Sequence, residues 1–483
     1  MSKLERRPPN ILIIQADQLS APHLSVYGGS TCQTPHLASL AARSTIFADA
    51  YCNAPLCGPS RASMLTGKMP SEIGVYDNAC DFSSSIPTIG HVLQAQGYQT
   101  IVSGKLHFIG ADQHHGFEER LTTDIYPTDY SWTPSWGNER LLADYFLASA
   151  SELRDAGIAE TSVQLEFDRE VADCAIEKLM HIGNTRSIDP YCLIASFTHP
   201  HDPFVIPKQY WDRYTDAEIE LPMHRTFPPE TRDAHSTRLF ELYGFDDLSL
   251  SNEEVIRIRR AYYGAISFID DQVGRLLGAL EATNSLDDTV VIFLSDHGEM
   301  LGERGMWFKS HFFEPAVRVP FIIHDPRSPQ GRTHREPVSL LDLLPTIADI
   351  SGSDSFGWNG SQFSGQSQLA GIRGEESGEG NQRPVFAEYL GEGAMEPIVM
   401  VRLGGYKLIA NAKSPQQLFH TAIDADETTN LIGQGLAAEE QLISLLESRW
   451  DLNDLKDDVL RSQQNRNFTR TALARERASG GNP

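Results

Sequence analysis

The chain has 483 residues, 40% of them hydrophobic and 22% charged, with a formal net charge of -25. A chain of this size and composition buries a sizeable core without disulfides. Its acidity excludes nucleic acid and anionic membrane as main partners, while leaving room for a locally basic pocket around an anion.

The first ten residues, MSKLERRPPN, are polar and lack the apolar stretch of a secretory signal. No apolar run is long enough to span a bilayer. Six cysteines (Cys32, Cys52, Cys57, Cys80, Cys174, Cys192) show no framework spacing, so the thiols are expected to be reduced and the chain cytosolic. Short apolar runs then read as strands buried on both faces: Asn10 to Asp17, Tyr98 to His107, Tyr191 to His201 and Thr289 to Gly298. Helical patterns lie between them. The clearest runs from about Asn252 to Ala282, with Val255, Ile258, Tyr262, Ile266, Ile269, Val273 and Leu277 at helical spacing. Strands alternating with helices predict an α/β domain with a mostly parallel sheet. Gly and Ser dominate residues 351–381, which read as a surface connection. Beyond it, Val385 to Tyr389 and the runs VMVRL and YKLIA read as β-structure with a hairpin at Gly404-Gly405. A helix around Ala437 to Trp450 follows. The last residues, NFTRTALARERASGGNP, read as a short, polar, frayed tail. The expected division is 1–380 for a catalytic α/β domain and 381–483 for a smaller C-terminal subdomain.

Each of the four strands ends in residues that can do chemistry: Asp17 after the first, Lys105 and His107 after the second, His199 and His201 after the third, Asp296 and His297 after the fourth. Sites in open α/β sheets form beyond the carboxyl ends of the strands, so four segments point to one rim. Each residue alone has a plainer reading. Asp17 and Asp296 serve as helix caps or turn residues, a lone lysine is a solvated group, and a lone histidine is more often structural. Together, Asp17, Asp296 and His297 suit a divalent cation of oxygen preference: calcium, magnesium or manganese. A cation, an arginine and the lysines Lys105 and Lys309 around one point suit a tetrahedral oxyanion, hence sulfate-ester or phosphate-ester chemistry.

The run Cys57-Gly58-Pro59-Ser60-Arg61, continuing to Gly67, resembles the Cys-x-Pro-Ser-Arg signature of the sulfatases of the alkaline phosphatase superfamily. Asp17, the run Gly104 to His107, the block SDHGEMLGERG and the C-terminal QLFHTAIDADETTNL resemble further landmarks of that family, so the resemblance covers nearly the whole chain. It implies an α/β/α sandwich with a large, mostly parallel sheet and a C-terminal subdomain with an antiparallel sheet. It also implies that a formylglycine-generating enzyme converts Cys57 to Cα-formylglycine. One hydroxyl of the hydrated aldehyde attacks sulfur and expels the alcohol. The second then allows the ester to collapse and release sulfate. The implied metal ligands are Asp17, residue 57, Asp296 and His297, with calcium first among the metals. Arg61 would orient residue 57, Lys105 and Lys309 would bind sulfate oxygens, His107 would assist collapse, and His201 would protonate the leaving oxygen. Gln18 follows Asp17 where many sulfatases carry a second acid, which fits a four-ligand shell.

GVYDNACDF, GFEERLTTDIYPTDYSWTPSW and SFTHPHDPF resemble choline sulfatases. That implies Asn78 near the sulfate or leaving group, Trp132 and secondarily Trp136 against a quaternary ammonium, and Glu388 as the carboxylate for the cation. Loop or core packing is the plainer reading of both tryptophans. The segment after Trp136, with Ala143, Asp144, Tyr145 and Phe146, departs from the aromatic and histidine cluster expected there. An arylsulfatase, a phosphonate monoester or phosphodiester hydrolase, and a degenerate anion-binding sulfatase are the alternatives. The last would call for loss of Cys57, Arg61 or a metal ligand, and none is lost. A homodimer or homotetramer is expected by analogy.

Overall fold

The computed structural model describes residues 7–136, 149–352 apart from 186 and 188, 363–375, 383–412 and 416–478. The segment after Trp136 that departs from choline sulfatases lies outside the described residues, as do parts of the Gly/Ser-rich connection. Eight strands form the main sheet: β1 (Asn10–Ala16), β2 (Thr45–Phe47), β3 (Gln99–Gly104), β4 (Glu119–Arg120), β5 (Tyr191–Ser196), β6 (Thr289–Ser295), β7 (Phe321–His324) and β8 (Arg332–His334). Their order is β8-β2-β7-β6-β1-β5-β3-β4. The centre is parallel, with Ile13 of β1 opposite Ile194 of β5 and Ile292 of β6. β7 runs antiparallel between β6 and β2. β1, β5 and β6 are buried along their whole length, as strands covered by helices on both faces must be.

Helix α1 (Cys57–Thr66) follows the second strand, α2 (Val163–Thr185) precedes β5, and α3 (Ala234–Tyr243) precedes α4 (Asn252–Ala282). The limits of α4 follow from local chemistry. Ser251 Oγ accepts the Glu254 N–H at 3.2 Å and Glu254 returns a carboxylate to the Ser251 N–H at 2.8 Å, a capping box ahead of the apolar stripe. A second, antiparallel sheet follows in the order β9 (Val385–Tyr389), β10 (Ile398–Leu403), β11 (Tyr406–Ala410), β12 (Gln417–His420). Its β10–β11 hairpin turns at Gly404-Gly405, with Leu403 opposite Tyr406 and Gly404 at positive φ, where a glycine carries no Cβ penalty. No described helix is long and apolar enough to cross a membrane.

The chain end is a correction. Helix α5 (Ala437–Arg449) is followed by α6 (Leu452–Ala478), so most of the expected frayed tail is helical. Its docking contacts include the buried polar side chains Gln463 and Arg466, so apolar periodicity did not reveal it.

One buried ion cluster ties the small sheet to the main body. Lys407 of β11 is fully buried and bonds Glu314 at 2.7 Å, Glu427 at 2.5 Å and the Phe312 carbonyl at 2.8 Å. Removing one partner of such a cluster strands the others in a low-dielectric setting. Lys407→Met is expected to cost about 3–5 kcal/mol in urea unfolding. A loss below about 1 kcal/mol would show that the two glutamates are relieved by protonation or water instead.

Candidate active site

The parallel strands β1, β3, β5 and β6 deliver their carboxyl ends to one edge, and the N-terminus of α1 meets them there. Cys57 is the first residue of α1, with Sγ 3.1 Å from His297 Nε2 and 3.8 Å from Asp17 Oδ1. One helical turn later, Arg61 is wholly buried. Its Nε donates to Asp296 Oδ2 at 2.7 Å, Nη2 to Asp17 Oδ2 at 2.9 Å, and Nη1 to Ser196 Oγ at 2.8 Å and to the Lys105 carbonyl. Each aspartate thus gives one oxygen to Arg61 and keeps Oδ1 toward Cys57 and His297, at 3.7 and 3.9 Å from His297 Nε2.

This donor set fits a hard divalent cation. Asp17, Cys57, Asp296 and His297 are buried and offer ligand atoms within 4.8 Å of one another. His297 Nδ1 lies 3.0 Å from the Gly298 carbonyl, which selects the Nδ1–H tautomer and leaves the Nε2 lone pair facing the cluster. Asp296 Oδ1 is held by the Gln18 and His297 N–H groups at 3.2 and 2.9 Å.

The charges around residue 57 decide its ionisation. Burial pushes the Cys57 thiol up, but Lys105, Lys309 and His297 outweigh it and hold it well below an ordinary thiol. Burial and the facing thiolate also push Asp17 up, yet Lys105 and Arg61 bring it to about 2. Lys105 pairs with Asp17 and lies 4.1 Å from the centre of the Tyr126 ring. Lys309 donates to Gln18 Oε1 at 2.6 Å and sits 2.6 Å from His201 Nε2. His201 Nδ1 is 2.8 Å from the Asp202 carbonyl, so Nε2 is its accepting nitrogen. His107, at positive φ, is held by Asp124, which accepts the Leu106 and His107 N–H groups at 2.9 and 2.8 Å. Its Nε2 is 3.2 Å from the Asn78 carbonyl, and Asn78 Oδ1 accepts the Gly58 N–H at 2.8 Å. His199 stays structural: its ring and backbone are tied to Asp168 of α2 at 2.7 and 2.9 Å.

Above the cluster opens a cavity of about 210 Å³ lined by Cys57, Asn78, His107, Tyr126, Trp132, Glu152, Gln164, His201, Asp202, Tyr243, Phe308, Lys309 and Glu392. Trp132 meets Tyr126 and His107 edge-on, with ring centres 5.2 and 5.8 Å apart. Two expected residues are not brought to this cavity. Trp136 is buried with Nε1 donating to the Gly391 carbonyl at 2.9 Å. Glu388 is fully buried within the small sheet. It accepts the Ser71 N–H and O–H at 2.9 and 2.6 Å and the Trp450 Nε1–H at 2.6 Å, so its oxygens are engaged away from the cavity.

Glu392, four residues on, lines the cavity instead. It is 5% exposed, and its Oε2 has no hydrogen-bond partner among the described residues. Sequence reasoning missed it because the two carboxylates lie four apart in one run, FAEYLGEG, and only the loop after β9 turns the second toward the site. It also read Gln18 only as a departure. Gln18 Nε2 donates to Glu299 at 2.6 Å and Asp202 at 3.1 Å while its Oε1 holds Lys309, so an amide sits where a second acid would compete for the lysine. The adjacent Asp17 was the available signal.

A sulfatase family model matches residues 9–353. The chain belongs to the sulfatase family. This sulfatase is 41% identical over 469 residues to "Choline-sulfatase" of Rhizobium meliloti (strain 1021), covering 95% of this chain and 90% of that one. It is 29% identical over 366 residues to "Arylsulfatase" of Clostridium perfringens, covering 71% and 75%. Among solved structures, the phosphonate monoester hydrolase of Agrobacterium radiobacter superposes with a TM-score of 0.69 at 23% identity, over 94% of this chain and 96% of that one. That likeness shows a shared fold, the alkaline-phosphatase-like sandwich. The sulfatase is a sulfuric ester hydrolase.

Because the ligand cluster gathers two buried carboxylates, a bound cation stabilises the folded chain by mass action, about 2.7 kcal/mol at one hundred times its dissociation constant. Chelation is expected to lower the melting temperature, and added calcium to restore it, in thermal unfolding. An unchanged midpoint would show that Arg61 and Lys105 alone neutralise the cluster.

Proposed function

We propose that this sulfatase hydrolyses the sulfate ester of a small cationic alcohol, choline sulfate first, through formylglycine formed from Cys57. One observation carries the choice of alcohol. The cavity over residue 57 is lined by the aromatic ring of Trp132 and by the buried Glu392, whose Oε2 has no hydrogen-bond partner among the described residues. A buried acceptor without a donor calls for one. A quaternary ammonium satisfies it by charge and is attracted to the aromatic ring. The volume suits a small alcohol rather than an oligosaccharide, and the Rhizobium meliloti relative is named for such a substrate.

In this reading Asp17, Asp296, His297 and residue 57 hold a divalent cation, calcium first. When bound, it supplies Lewis-acid polarisation and lowers the pKa of an oxygen acid. Cys57 Sγ marks the place of the formylglycine oxygens. Their seat at the start of α1 lies among positive partial charges from backbone N–H groups, which favours an oxyanion. Arg61 fixes the residue 57 turn by gripping both aspartates. Lys105 and Lys309 converge on the same side and bind the sulfate oxygens. His107, locked by Asp124 and Asn78, assists ester collapse. His201 takes a proton at Nε2 from the Lys309 ammonium 2.6 Å away and passes it to the leaving alkoxide, and solvent afterwards restores the proton to Lys309. Glu392 and Trp132 bind the alcohol's cation, and Asn78 lies between the sulfate and alcohol sides. A formylglycine-generating enzyme is the maturation partner, and a cytosolic homodimer or homotetramer the working form.

The deciding test joins mass spectrometry of the residue 57 peptide to turnover of choline sulfate, an aryl sulfate and a phosphonate monoester. The expected result is exchange of sulfur for oxygen with loss of two hydrogens, and preference for choline sulfate. Active protein with an unmodified thiol overturns the mechanism. Modified protein that prefers either other ester overturns the alcohol. His201→Ala is expected to lower kcat on choline sulfate by about 10²–10⁴-fold and on an aryl sulfate, with its better leaving group, by much less.

Burial raises the Glu392 carboxyl to about 7. Its ionised form is present above that value and lost as pH falls through it. KM for choline sulfate is therefore expected to rise on acidification, with KM level for an aryl sulfate whose alcohol carries no cation. Glu392→Gln should raise the choline sulfate KM by about tenfold or more, near 1.4 kcal/mol, and flatten its pH dependence. A pH profile unchanged by the substitution would assign the effect to another group.

A further inference from the structure

One face of α6 carries Gln463, Arg466, Asn467 and Arg470, the i, i+3, i+4, i+7 spacing of a helical stripe. The stripe is polar, and it lies against the loop 131–136 that presents Trp132 to the cavity. Gln463 Oε1 accepts the Trp136 N–H at 2.9 Å. Arg466 Nη1 donates to Thr133 Oγ1 at 3.2 Å, Asn467 Nδ2 to the Pro134 carbonyl at 3.4 Å, and Arg470 Nη1 to the Ser131 carbonyl at 3.1 Å. Trp136 relays the contact, since its Nε1 donates to the carbonyl of Gly391, the residue before Glu392.

Arg466 also reaches the other wall. It is 6% exposed and grips Asp77 through both terminal nitrogens, each at 2.7 Å. Such a fork fixes direction as well as distance. Asp77 precedes Asn78, which holds the first turn of α1 at the Gly58 N–H and His107 at its carbonyl. One guanidinium therefore braces the loop bearing Trp132 and the turn bearing Asn78.

We infer that the C-terminal helix is a positioning element for the alcohol side of the cavity and that Arg466 is the positioning residue through which it acts. This rests on the reading of that cavity as the alcohol pocket. Arg466 touches no reacting atom. It sets the separation of Trp132 from Asn78, and small errors in such a separation are costly when a substrate must be held in line.

The test uses full-length protein with residue 57 conversion checked by mass, at a temperature well below the lowest melting point. Wild type, Arg466→Met, Arg466→Lys and the double variant Asp77→Asn/Arg466→Met are compared on choline sulfate and 4-nitrophenyl sulfate. The double variant leaves no unpaired buried charge, so it keeps the test open should Arg466→Met fold poorly. Expected are a fall on the order of tenfold in the choline-to-aryl ratio of kcat/KM in both Met variants, mainly through KM. The double variant should recover the melting temperature but not the ratio, and Arg466→Lys should recover part of the ratio. A ratio within about twofold of wild type in a folded double variant overturns the inference, leaving α6 a stabilising element only. Wild type without choline sulfate turnover would instead sink the reading of the alcohol pocket, and an altered aryl KM in the variants would not rescue it.

Discussion

The guanidinium of Arg61 is the contact on which the site depends. Its hydrogen bonds reach Asp17 after β1, the Lys105 carbonyl after β3, Ser196 at the end of β5 and Asp296 after β6. One side chain thus meets every strand that builds the rim. A fully buried arginine is costly unless its donors are matched, and here two carboxylates and two further oxygens take up four of its five N–H groups. The planar fork, always charged, does this as a lysine ammonium could not. Because Arg61 stands one helical turn after Cys57, the same contact aims the first residue of α1 at the ligand cluster.

The wider chain is acidic, while the pocket floor is balanced by local cations. Two aspartates meet Arg61 and Lys105, and Lys309 enters from the loop after β6. A net charge of -25 over the whole chain does not oppose anion binding here, because buried groups respond to neighbours within a few ångströms and distant surface charge is screened. Gln18 belongs to this balance. As a neutral amide it can accept from Lys309 and donate to Glu299 and Asp202 at once, whereas a carboxylate could only accept. Asp17, Lys105, Asp296 and His297 follow directly on strand ends, where backbone pairing locks them. Trp132 and Glu392, the groups proposed to hold the alcohol, stand on loops that must be braced from elsewhere.

Much of this was legible in the chain. The four apolar runs and their polar endings foretold a parallel sheet with a rim, because strands buried on both faces are continuous apolar stretches and α/β sites form at their carboxyl ends. The limits of α4 could be read from its capping residues and period. What escaped was set by contacts distant in sequence. Glu388 and Glu392 are indistinguishable as residue types. Their separation into a buried strut and a cavity carboxylate is made by Ser71 and Trp450, which claim the first. Helix α6 escaped because the stripe facing the 131–136 loop is polar: Arg466 is buried by virtue of Asp77, 389 residues away, and a periodicity argument counts only apolar positions.

By itself, then, the sequence determined the chemistry: a Cys57 turn with Arg61 one helical turn on, aspartates and a histidine at strand ends, and lysines within reach. Local propensity and burial period act over a few residues, and these features are local. The tertiary structure alone decided which carboxylate and which tryptophan line the cavity and what holds that wall in place. Those outcomes depend on pairing buried charges across hundreds of residues, where the cost of an unmatched group selects one partner among chemically equal candidates.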